Sequence, residues 1–316
     1  MAKRDCDVMV VGSGVIGLTA GVCLAEAGAR VRIRTAALAQ QTTSRAAGAM
    51  WGPSFAEPAA RVKRWGEVTL SELRELASRP ETGVRIARGK LASRRTAEPP
   101  PAGMFPGLEV CQGDEVPDGF LGAFRVEVPL VDMPRHLDYL VARLAEAGGE
   151  IEARPLASLA EVAGEAPLVV NCAGAGARDL VPDPALRAVR GQHVVVENPG
   201  LGEFFMEEPL GARWTGYFPH GDEVVLGGSA DEDEWSMDPD PSTAEQILHR
   251  CTQVEPRLEG ARVLEHRVGL RPVRSAVRLD EESLGGSRCV HNYGHGGNGV
   301  SMAWGCAREV AALVRG

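Results

Sequence analysis

The sequence predicts an α/β protein in which a nucleotide-binding domain is interrupted by a second domain. A strand, a glycine-rich turn, a helix and a second strand follow one another near the N-terminus, as in a βαβ unit. Another strand opens into glycines at 168–177, far from the first, which indicates that the chain returns to the same domain. The length of 316 residues also exceeds the usual size of one domain. We therefore expect a Rossmann-type domain assembled from discontinuous segments.

The composition excludes several classes of protein. Hydrophobic residues make up 44% and charged residues 24%, which is typical of a globular chain and not of a disordered one. The net charge of −9 disfavours nucleic acid as a partner, because phosphate binding requires clustered positive charge. No apolar run reaches the ~18 residues of a membrane span, so we expect no membrane partner.

The cysteines and the N-terminus bear on the compartment. Seven cysteines without a C-x-x-C pair predict neither a disulfide framework nor a metal site. Cys6, Cys172 and Cys289 lie in or beside apolar runs, which favours buried free thiols. The N-terminus runs directly into a strand without the apolar segment of a signal peptide. We therefore expect a cytoplasmic protein.

The first unit is a strand at 7–11, a helix at 18–27 and a second strand at 31–33, with Gly12-Ser13-Gly14-Val15-Ile16-Gly17 as the turn. Gly12 is expected to make the tight turn, Gly14 to let the backbone approach a pyrophosphate, and Gly17 to permit close packing of helix and strand. The free N–H groups at the start of the helix then face the pyrophosphate. This turn predicts a dinucleotide site.

The acid that usually binds the ribose is missing after the second strand. An Asp or Glu is expected about twenty residues beyond the glycines, but residues 32–36 read Arg-Ile-Arg-Thr-Ala. Arg34 suggests the 2′-phosphate of NADP, or alternatively it is a solvated side chain. Taken alone, this segment favours FAD and NADP about equally.

The rest of the chain carries further elements in order. A hydroxyl-rich stretch at 41–53 is either a close backbone contact for a planar ligand or an ordinary surface loop. Helices are expected at 62–77 and 133–147, a long connection at 94–106, strands at 168–173, 191–197 and 223–227, and a last helix ending at Val314. Ser242 to Glu245 predicts a capping box before a helix that passes through Cys251.

Two C-terminal motifs connect the chain with a known family. They are VGLRPVRSAVRL at 268–279 and HNYGHGGNGVSMAWGCA at 291–307, and they are accompanied by GSGVIG, TTSRAAGAMW, NCAGAGA and RGQ in the same order along the chain. With these motifs the sequence resembles the D-amino-acid oxidase and D-aspartate oxidase family of FAD enzymes. The resemblance covers essentially the whole chain and implies FAD instead of NADP.

The resemblance also implies a domain arrangement. An FAD-binding domain would comprise residues 1–52, 134–190 and 265–316, and a substrate-binding α+β domain with a mainly antiparallel sheet would comprise 53–133 and 191–264. A homodimer is the assembly that the family implies.

Three segments are then expected to bind the cofactor. They are the glycine-rich turn, the hydroxyl-rich stretch with the small residues after it, and the start of the last helix, whose dipole would stabilise the anionic reduced flavin. The residues are Gly12, Gly14, Val15, Ile16, Gly17, Thr42, Thr43, Ser44, Ala47, Gly48, Ala49, Met50, Gly296, Gly297, Asn298, Gly299, Val300 and Ser301.

For the substrate, the resemblance implies that Arg271 binds the carboxylate, because a guanidinium fork suits a carboxylate bidentately. The alternative is a structural salt bridge. Gly297 is expected beside the reacting centre, whereas Arg274 is expected to be structural or exposed. His291 and His295 lack a carboxylate motif that would make them metal ligands or a general base.

The family's two active-site tyrosines are where the chain departs from the pattern. Alignment on Pro219 puts Gly216 and Ala212 at their positions, and Tyr217 is one residue out of register. Because one residue reverses the face of a strand, Tyr217 contacts substrate only if a bulge restores it. Trp214 and Arg213 are the side chains expected to fill that space, and Arg213 would either favour a second substrate carboxylate or lie in solvent.

The implied reaction is the oxidative deamination of a D-amino acid to a 2-oxo acid and ammonia, in which oxygen regenerates FAD and gives hydrogen peroxide. Four alternatives stay open at this point. They are a D-aspartate- or D-glutamate-preferring oxidase, a glycine- or sarcosine-type amine oxidase, a dehydrogenase with another electron acceptor, and a flavin-binding protein without oxidase activity.

Overall fold

The computed structural model describes residues 6–208 and 211–315, without the side chain of Arg315. Its strands form one mixed sheet with the spatial order β4-β5-β3-β9-β10-β11-β8-β13-β14-β7-β1-β2-β6. Strand β12 lies outside this order and pairs with β8. The strands are β1 Val8–Val11, β2 Val31–Thr35, β3 Val84–Ser93, β4 Glu109–Val110, β5 Gly122–Val131, β6 Glu150–Ala153, β7 Leu168–Asn171, β8 Arg187–Glu197, β9 Phe204–Glu207, β10 Arg213–His220, β11 Glu223–Ser229, β12 Asp231–Glu232, β13 Val263–Leu284 and β14 Ser287–His295. The helices are α1 Val15–Glu26, α2 Ala59–Leu76, α3 Met133–Glu146, α4 Ala177–Leu180, α5 Pro241–Val254 and α6 Gly299–Arg315.

The half of the sheet formed by β14, β7, β1, β2 and β6 is parallel throughout, and we call it the parallel half. All four residues of β1 are buried, as a continuous apolar run requires in a central strand that is covered on both faces. Helix α1 packs against α6 and α3, and its buried residues include Leu18, Val22 and Leu24. This half confirms the predicted Rossmann-type arrangement.

The other half runs from β4 to β13, and we call it the antiparallel half. All of its neighbouring strands are antiparallel except β3 and β9. Helix α5 covers one face of β8 and β11, where Ile247 and Cys251 pack against Val194 and Leu226. The opposite face of these strands is therefore available to line a site.

Strand β13 belongs to both halves. Residues 263–273 pair with β8, and residues 278–284 pair with β14, with an irregularity between Val273 and Arg278. The motif VGLRPVRSAVRL lies along this strand. Arg271 consequently stands close to the point where the two halves meet.

The predicted N-cap of helix α5 is wrong by two residues. Asp240, not Ser242, is the N-cap residue, and its carboxylate accepts a hydrogen bond from Thr243 N at 2.8 Å. Pro241 then takes the first helical position, for which its fixed φ is suited. The capping-box pattern was misleading because an aspartate two residues earlier competes for the same role.

The seven cysteines are all free, and Cys6, Cys172 and Cys289 are buried as the sequence predicted. Among the helices of the described ranges, none is long and apolar enough to cross a membrane. Within the same ranges, no group of His, Cys, Asp and Glu residues is arranged to hold a metal ion.

Candidate active site

A cavity of about 1190 Å³ is lined by both halves of the sheet. It begins where β2 ends at 34–37, passes the glycine-rich turn and the segment 42–50, and reaches β8, β10, β13 and residues 296–301. The volume exceeds that of a typical drug-sized pocket of roughly 300–1,000 Å³. The cavity therefore has room for a dinucleotide together with a small substrate.

The glycine-rich turn has the backbone geometry that was predicted. Gly12 has φ of +104°, and a Cβ there would lie 2.6 Å from the carbonyl oxygen of Cys172. A Cβ on Gly17 would lie 1.9 Å from Gly12 O, so Gly17 permits the close packing of α1 on the turn. Gly12, Gly14, Val15 and Ile16 line the cavity, whereas Gly17 does not. Gly17 thus contributes to the site only through the close packing of α1 on the turn, and it does not line the cavity.

The hydroxyl-rich segment is part of the cavity wall and not a surface loop. Thr42, Thr43 and Ser44 all line the cavity. Ser44 Oγ accepts a hydrogen bond from Val15 N at 2.9 Å, and Thr43 Oγ1 accepts one from Leu270 N at 3.1 Å. These bonds hold the segment between the start of α1 and strand β13.

The small residues that follow also line the cavity, and β10 and β5 position them. Ala47, Gly48, Ala49 and Met50 are all cavity residues. A Cβ on Gly48 would lie 2.6 Å from the Phe218 ring, so only glycine permits this contact. Val131 N donates to Ala49 O at 2.8 Å, which fixes the segment to the end of β5.

The start of α6 closes one side of the cavity. The lining residues here are Gly296, Gly297, Asn298, Gly299, Val300 and Ser301. Gly52 N donates to Ser301 Oγ at 3.2 Å, which joins this helix to the hydroxyl-rich stretch. A long helix that begins at a cavity presents its free N–H groups and its positive dipole end to any anionic part of a ligand.

Arg34 lines the cavity but is not free to bind a 2′-phosphate. It is 3% exposed, and its guanidinium pairs with Glu152 at 3.1 Å and with Glu165 at 3.0 Å. Two carboxylates already satisfy its charge, so the NADP interpretation and the solvated one are both wrong. The glycine turn, the hydroxyls and the α6 terminus fit a dinucleotide without a 2′-phosphate, and FAD is such a dinucleotide.

Arg271 lies in the cavity without a carboxylate partner. Its Nη1 donates to Ser229 O at 2.9 Å, and in the ranges that the structure describes it forms no ion pair. Burial lowers the pKa of this guanidinium, and the charge of Asp231 offsets part of that effect. The structural salt bridge, which was the alternative role, is therefore absent from these ranges.

Two other arginines of β13, unlike Arg271, form ion pairs with carboxylates. Arg267 Nε pairs with Glu265 at 2.8 Å, and Arg274 Nε pairs with Asp183 at 2.8 Å. Arg274 is structural, as one of its two predicted roles stated. Arg271 alone among these three keeps most of its N–H groups for a ligand.

Trp214 and Tyr217, which were both predicted to lie at the substrate, are on different faces of β10. Trp214 lines the cavity and is 9% exposed, as its predicted role requires. Tyr217 is not among the cavity residues and instead stacks on Phe205, with ring centroids 5.6 Å apart. The prediction that Tyr217 contacts substrate is wrong for the described structure, because the bulge between Arg213 and Gly216 does not bring Tyr217 to the cavity face.

Arg213 also points elsewhere. It is exposed, pairs with Asp231 at 2.6 Å and does not line the cavity, so the alternative of a side chain in solvent describes it and the second-carboxylate role does not. Phe218 takes a place on the cavity wall that the sequence did not assign. Trp214 and Phe218, four residues apart, therefore occupy one face of β10 with rings 6.4 Å apart.

Sequence reasoning missed two residues of β8. A Cβ on Gly191 would lie 2.4 Å from Arg271 Nη1, so this glycine makes room for the guanidinium. His193 lines the cavity two residues later, and its Nδ1 is 2.6 Å from Ala46 O. The motif RGQ at 190–192 marked this strand, but it carried no signal for the histidine that follows.

Comparisons with known proteins agree with this geometry. The family model described as FAD dependent oxidoreductase (DAO) matches residues 7–313. A D-amino-acid oxidase of Rubrobacter xylanophilus is 48% identical over 309 residues, which cover 97% of this chain and 95% of the relative. A D-amino-acid oxidase of Streptomyces coelicolor is 49% identical over 317 residues, which cover 99% of this chain and 98% of the relative.

A solved structure with a similar fold is the glycine oxidase from Bacillus cereus ATCC 14579. It has a TM-score of 0.79 and covers 98% of this chain and 95% of its own. Since the two sequences are only 20% identical, this similarity supports a common fold and not a common substrate.

Proposed function

This chain belongs to the D-amino-acid oxidase family of FAD-dependent oxidoreductases, and we propose that Arg271 binds the substrate carboxylate in its cavity. The protein catalyses the FAD-dependent oxidative deamination of D-amino acids. The products are a 2-oxo acid, ammonia and hydrogen peroxide.

The observation that supports the carboxylate role is that Arg271 has no ion-pair partner among the residues that the structure describes. A buried guanidinium without a counter-ion is costly, and a bidentate carboxylate satisfies both its charge and its N–H groups. Gly191 provides the space that this guanidinium occupies, and Ser229 O orients it through one hydrogen bond. Gly297 lies beside the same side chain, since a Cβ there would be 3.4 Å from Arg271 Cδ. The Gly297 backbone therefore faces the space in which the substrate is held.

We propose that different parts of the cavity hold the pyrophosphate and the flavin of FAD. The glycine turn and Ser44 would hold the pyrophosphate of FAD, and residues 47–50 with 296–301 would surround the flavin. When bound, FAD supplies the acceptor for the hydride from the substrate Cα and passes the electrons to oxygen. The residues of the chain fix which face of Cα is presented, because Arg271 anchors the carboxylate and the other lining side chains limit how the substrate turns about that anchor.

The part of the cavity wall that β9 and β10 form supports neutral, apolar D-amino acids as the preferred class. Met206, Trp214 and Phe218 line it, and Arg213 is engaged by Asp231 outside the cavity. A second substrate carboxylate would thus be buried against aromatic rings without a partner, which is costly. This is the argument against a preference for D-aspartate or D-glutamate.

The domain division is also a proposal, and the strand pairing supports it. Strands β1, β2, β6 and β7 fall within 1–52 and 134–190, and all of them lie in the parallel half. Residues 265–273 pair with β8 in the antiparallel half, so β13 would be shared between the two domains. A cytoplasmic location is supported by the seven free thiols, whereas a homodimer rests on the family resemblance alone.

An anaerobic titration of the FAD-loaded protein tests the function. Additions of D-alanine, D-aspartate, glycine and L-alanine are followed through the visible absorbance of the flavin. We expect D-alanine to bleach the flavin fastest, D-aspartate and glycine slowly, and L-alanine not at all. A yellow protein that no D-amino acid bleaches would contradict the function, and faster bleaching by D-aspartate would contradict the apolar preference.

A further inference from the structure

Phe55 is an aromatic side chain that lines the cavity and is nevertheless open to solvent. Among the large apolar side chains that are exposed in the described ranges, it is the most exposed, at 83%, and the one that lines the cavity. Leu121, the next most exposed at 60%, does not line it. A single exposed apolar side chain is normal on a protein surface, but one at the edge of a ligand cavity is covered when a ligand reaches it. Covering a phenyl ring is favourable, so Phe55 is placed to contribute to binding.

The backbone is held on both sides of Phe55. Before it, Gly52 N donates a hydrogen bond to Ser301 Oγ at 3.2 Å. After it, Glu57 O accepts one from Val277 N at 2.8 Å. The short stretch between these two bonds therefore lies beside the start of α6, which is the part of the cavity that we assign to the flavin.

A second apolar segment, residues 96–105, borders the same region, and we call it the proline segment. Its three consecutive prolines at 99–101 all line the cavity, and their fixed φ angles restrict the backbone. Phe105 packs edge-on against Trp51, with ring centroids 6.5 Å apart. Trp51 precedes Phe55 by four residues, so this contact joins the proline segment to the segment of Phe55. The opening of the cavity is therefore bordered by apolar side chains from two segments of restricted backbone.

The charge at this opening disfavours an acidic ligand group. Glu98, in the proline segment, lines the cavity and is exposed, and it forms no ion pair within the described ranges. An exposed carboxylate stays hydrated, and it repels a second negative charge that is brought close to it. The ligand group that fits between Phe55 and the prolines is consequently neutral and apolar.

We infer that Phe55 contacts the side chain of long apolar D-amino acids and so determines how well they compete with short ones, an inference that rests on the proposed oxidation of D-amino acids. Arg271, which lies against Gly191 of β8, holds the carboxylate at the wall that β8 and β13 form. The methyl group of D-alanine ends close to Cα, whereas the benzyl group of D-phenylalanine extends farther, toward the opening. There its ring meets the Phe55 ring, and pairs of aromatic rings attract each other beyond the effect of burial alone.

The test compares a long and a short ligand in two ways. Steady-state kinetics give kcat/KM of the FAD-loaded proteins for D-phenylalanine and for D-alanine. The shift in flavin absorbance gives dissociation constants for 3-phenylpropionate and propionate, which are the same two molecules without the amino group. The variants are Phe55→Ala, which removes the ring, and Phe55→Leu, which keeps an apolar side chain without a ring.

We expect Phe55→Ala to lower the ratio of kcat/KM for D-phenylalanine over D-alanine about tenfold, and to weaken 3-phenylpropionate relative to propionate by a similar factor. Phe55→Leu should recover part of both losses. Leu121→Ala is the matched control, because it also removes an exposed apolar side chain but one that does not line the cavity. It should change neither ratio by more than about twofold. Since Phe55 is mostly exposed, its replacement should leave the melting temperature unchanged.

An equal loss for the long and the short ligand in Phe55→Ala, an unchanged ratio, or a ratio that rises because the ring obstructs entry would each overturn the inference. Failure of the proposed function has a different signature, since wild-type flavin would then not bleach with any D-amino acid. In that case 3-phenylpropionate and propionate, which bind without turnover, still decide the role of Phe55.

Discussion

The two halves of the sheet line the same cavity with different parts of the chain. The parallel half contributes mostly backbone, through the turn at 12–17 and the segment that begins α6. The antiparallel half contributes side chains, of which Arg271, His193 and Trp214 are the main ones. A dinucleotide is therefore held by groups that every residue possesses, whereas the substrate is selected by groups that depend on side-chain identity and direction.

Glycine substitutions in the two halves test this difference and carry the largest expected effect. The Cβ of Gly17→Ala would lie 1.9 Å from the backbone oxygen of Gly12, and backbone cannot move away cheaply. The Cβ of Gly191→Ala would meet the far end of the Arg271 side chain at 2.4 Å, and that end is flexible. We expect Gly17→Ala to abolish FAD binding and to lower the melting temperature strongly. Gly191→Ala should retain FAD and raise KM by about tenfold.

The measurement is a thermal melt together with an FAD titration of each variant, followed by steady-state kinetics with D-alanine. Gly28→Ala is a useful contrast because its φ is positive, at +94°, unlike that of Gly17 or Gly191, and nothing lies within 4 Å of a Cβ there. It reports the cost of backbone strain without a clash. If Gly17→Ala binds FAD like the wild type, the backbone role of the parallel half is wrong.

The sequence predicted the parallel half well because its signals are local. Gly12 and Gly14 act through backbone geometry that neighbouring residues determine, and both line the cavity. Arg34 was misinterpreted since its partners, Glu152 and Glu165, come from segments more than a hundred residues away. No local sequence pattern around Arg34 indicates these two partners.

The antiparallel half was harder to predict for a geometric reason. Tyr217 and Phe218 are adjacent, yet only Phe218 lines the cavity, and a shift of one residue in the alignment exchanges them. Arg271 was found because its motif is specific. His193 was missed because its place on the cavity wall depends on how β8 packs against the segment at Ala46, which no local pattern indicates.

Arg271 gives the second largest expected effect. Arg271→Leu removes the cavity-lining guanidinium of β13, which has no ion-pair partner in the described ranges, and kcat/KM for D-alanine should fall about a thousandfold because the carboxylate would be buried without a partner. The FAD absorbance of the variant should be unchanged, since the parallel half is intact. Arg271→Lys restores the charge without the planar fork and should recover only part of the loss.

Stopped-flow bleaching and an FAD titration provide both measurements for these variants. The same loss in FAD affinity as in kcat/KM would mean that Arg271 shapes the whole cavity and does not serve the substrate alone. Full activity of Arg271→Lys would show that charge suffices, and it would remove the argument for bidentate binding.

The smallest predicted effect concerns the two faces of β10. Trp214 lies in a space that glycines provide, since a Cβ on Gly216 or Gly228 would come within 2.6 or 2.5 Å of its indole. Trp214→Leu should lower kcat/KM for D-alanine about tenfold, because the cavity wall at β10 recedes and the substrate is held less well, and it should favour D-phenylalanine in relative terms. Tyr217→Phe, which alters the opposite face of the same strand, should change neither value by more than about twofold. The opposite result, a large effect of Tyr217→Phe and none of Trp214→Leu, would mean that β10 has the other register when substrate is bound.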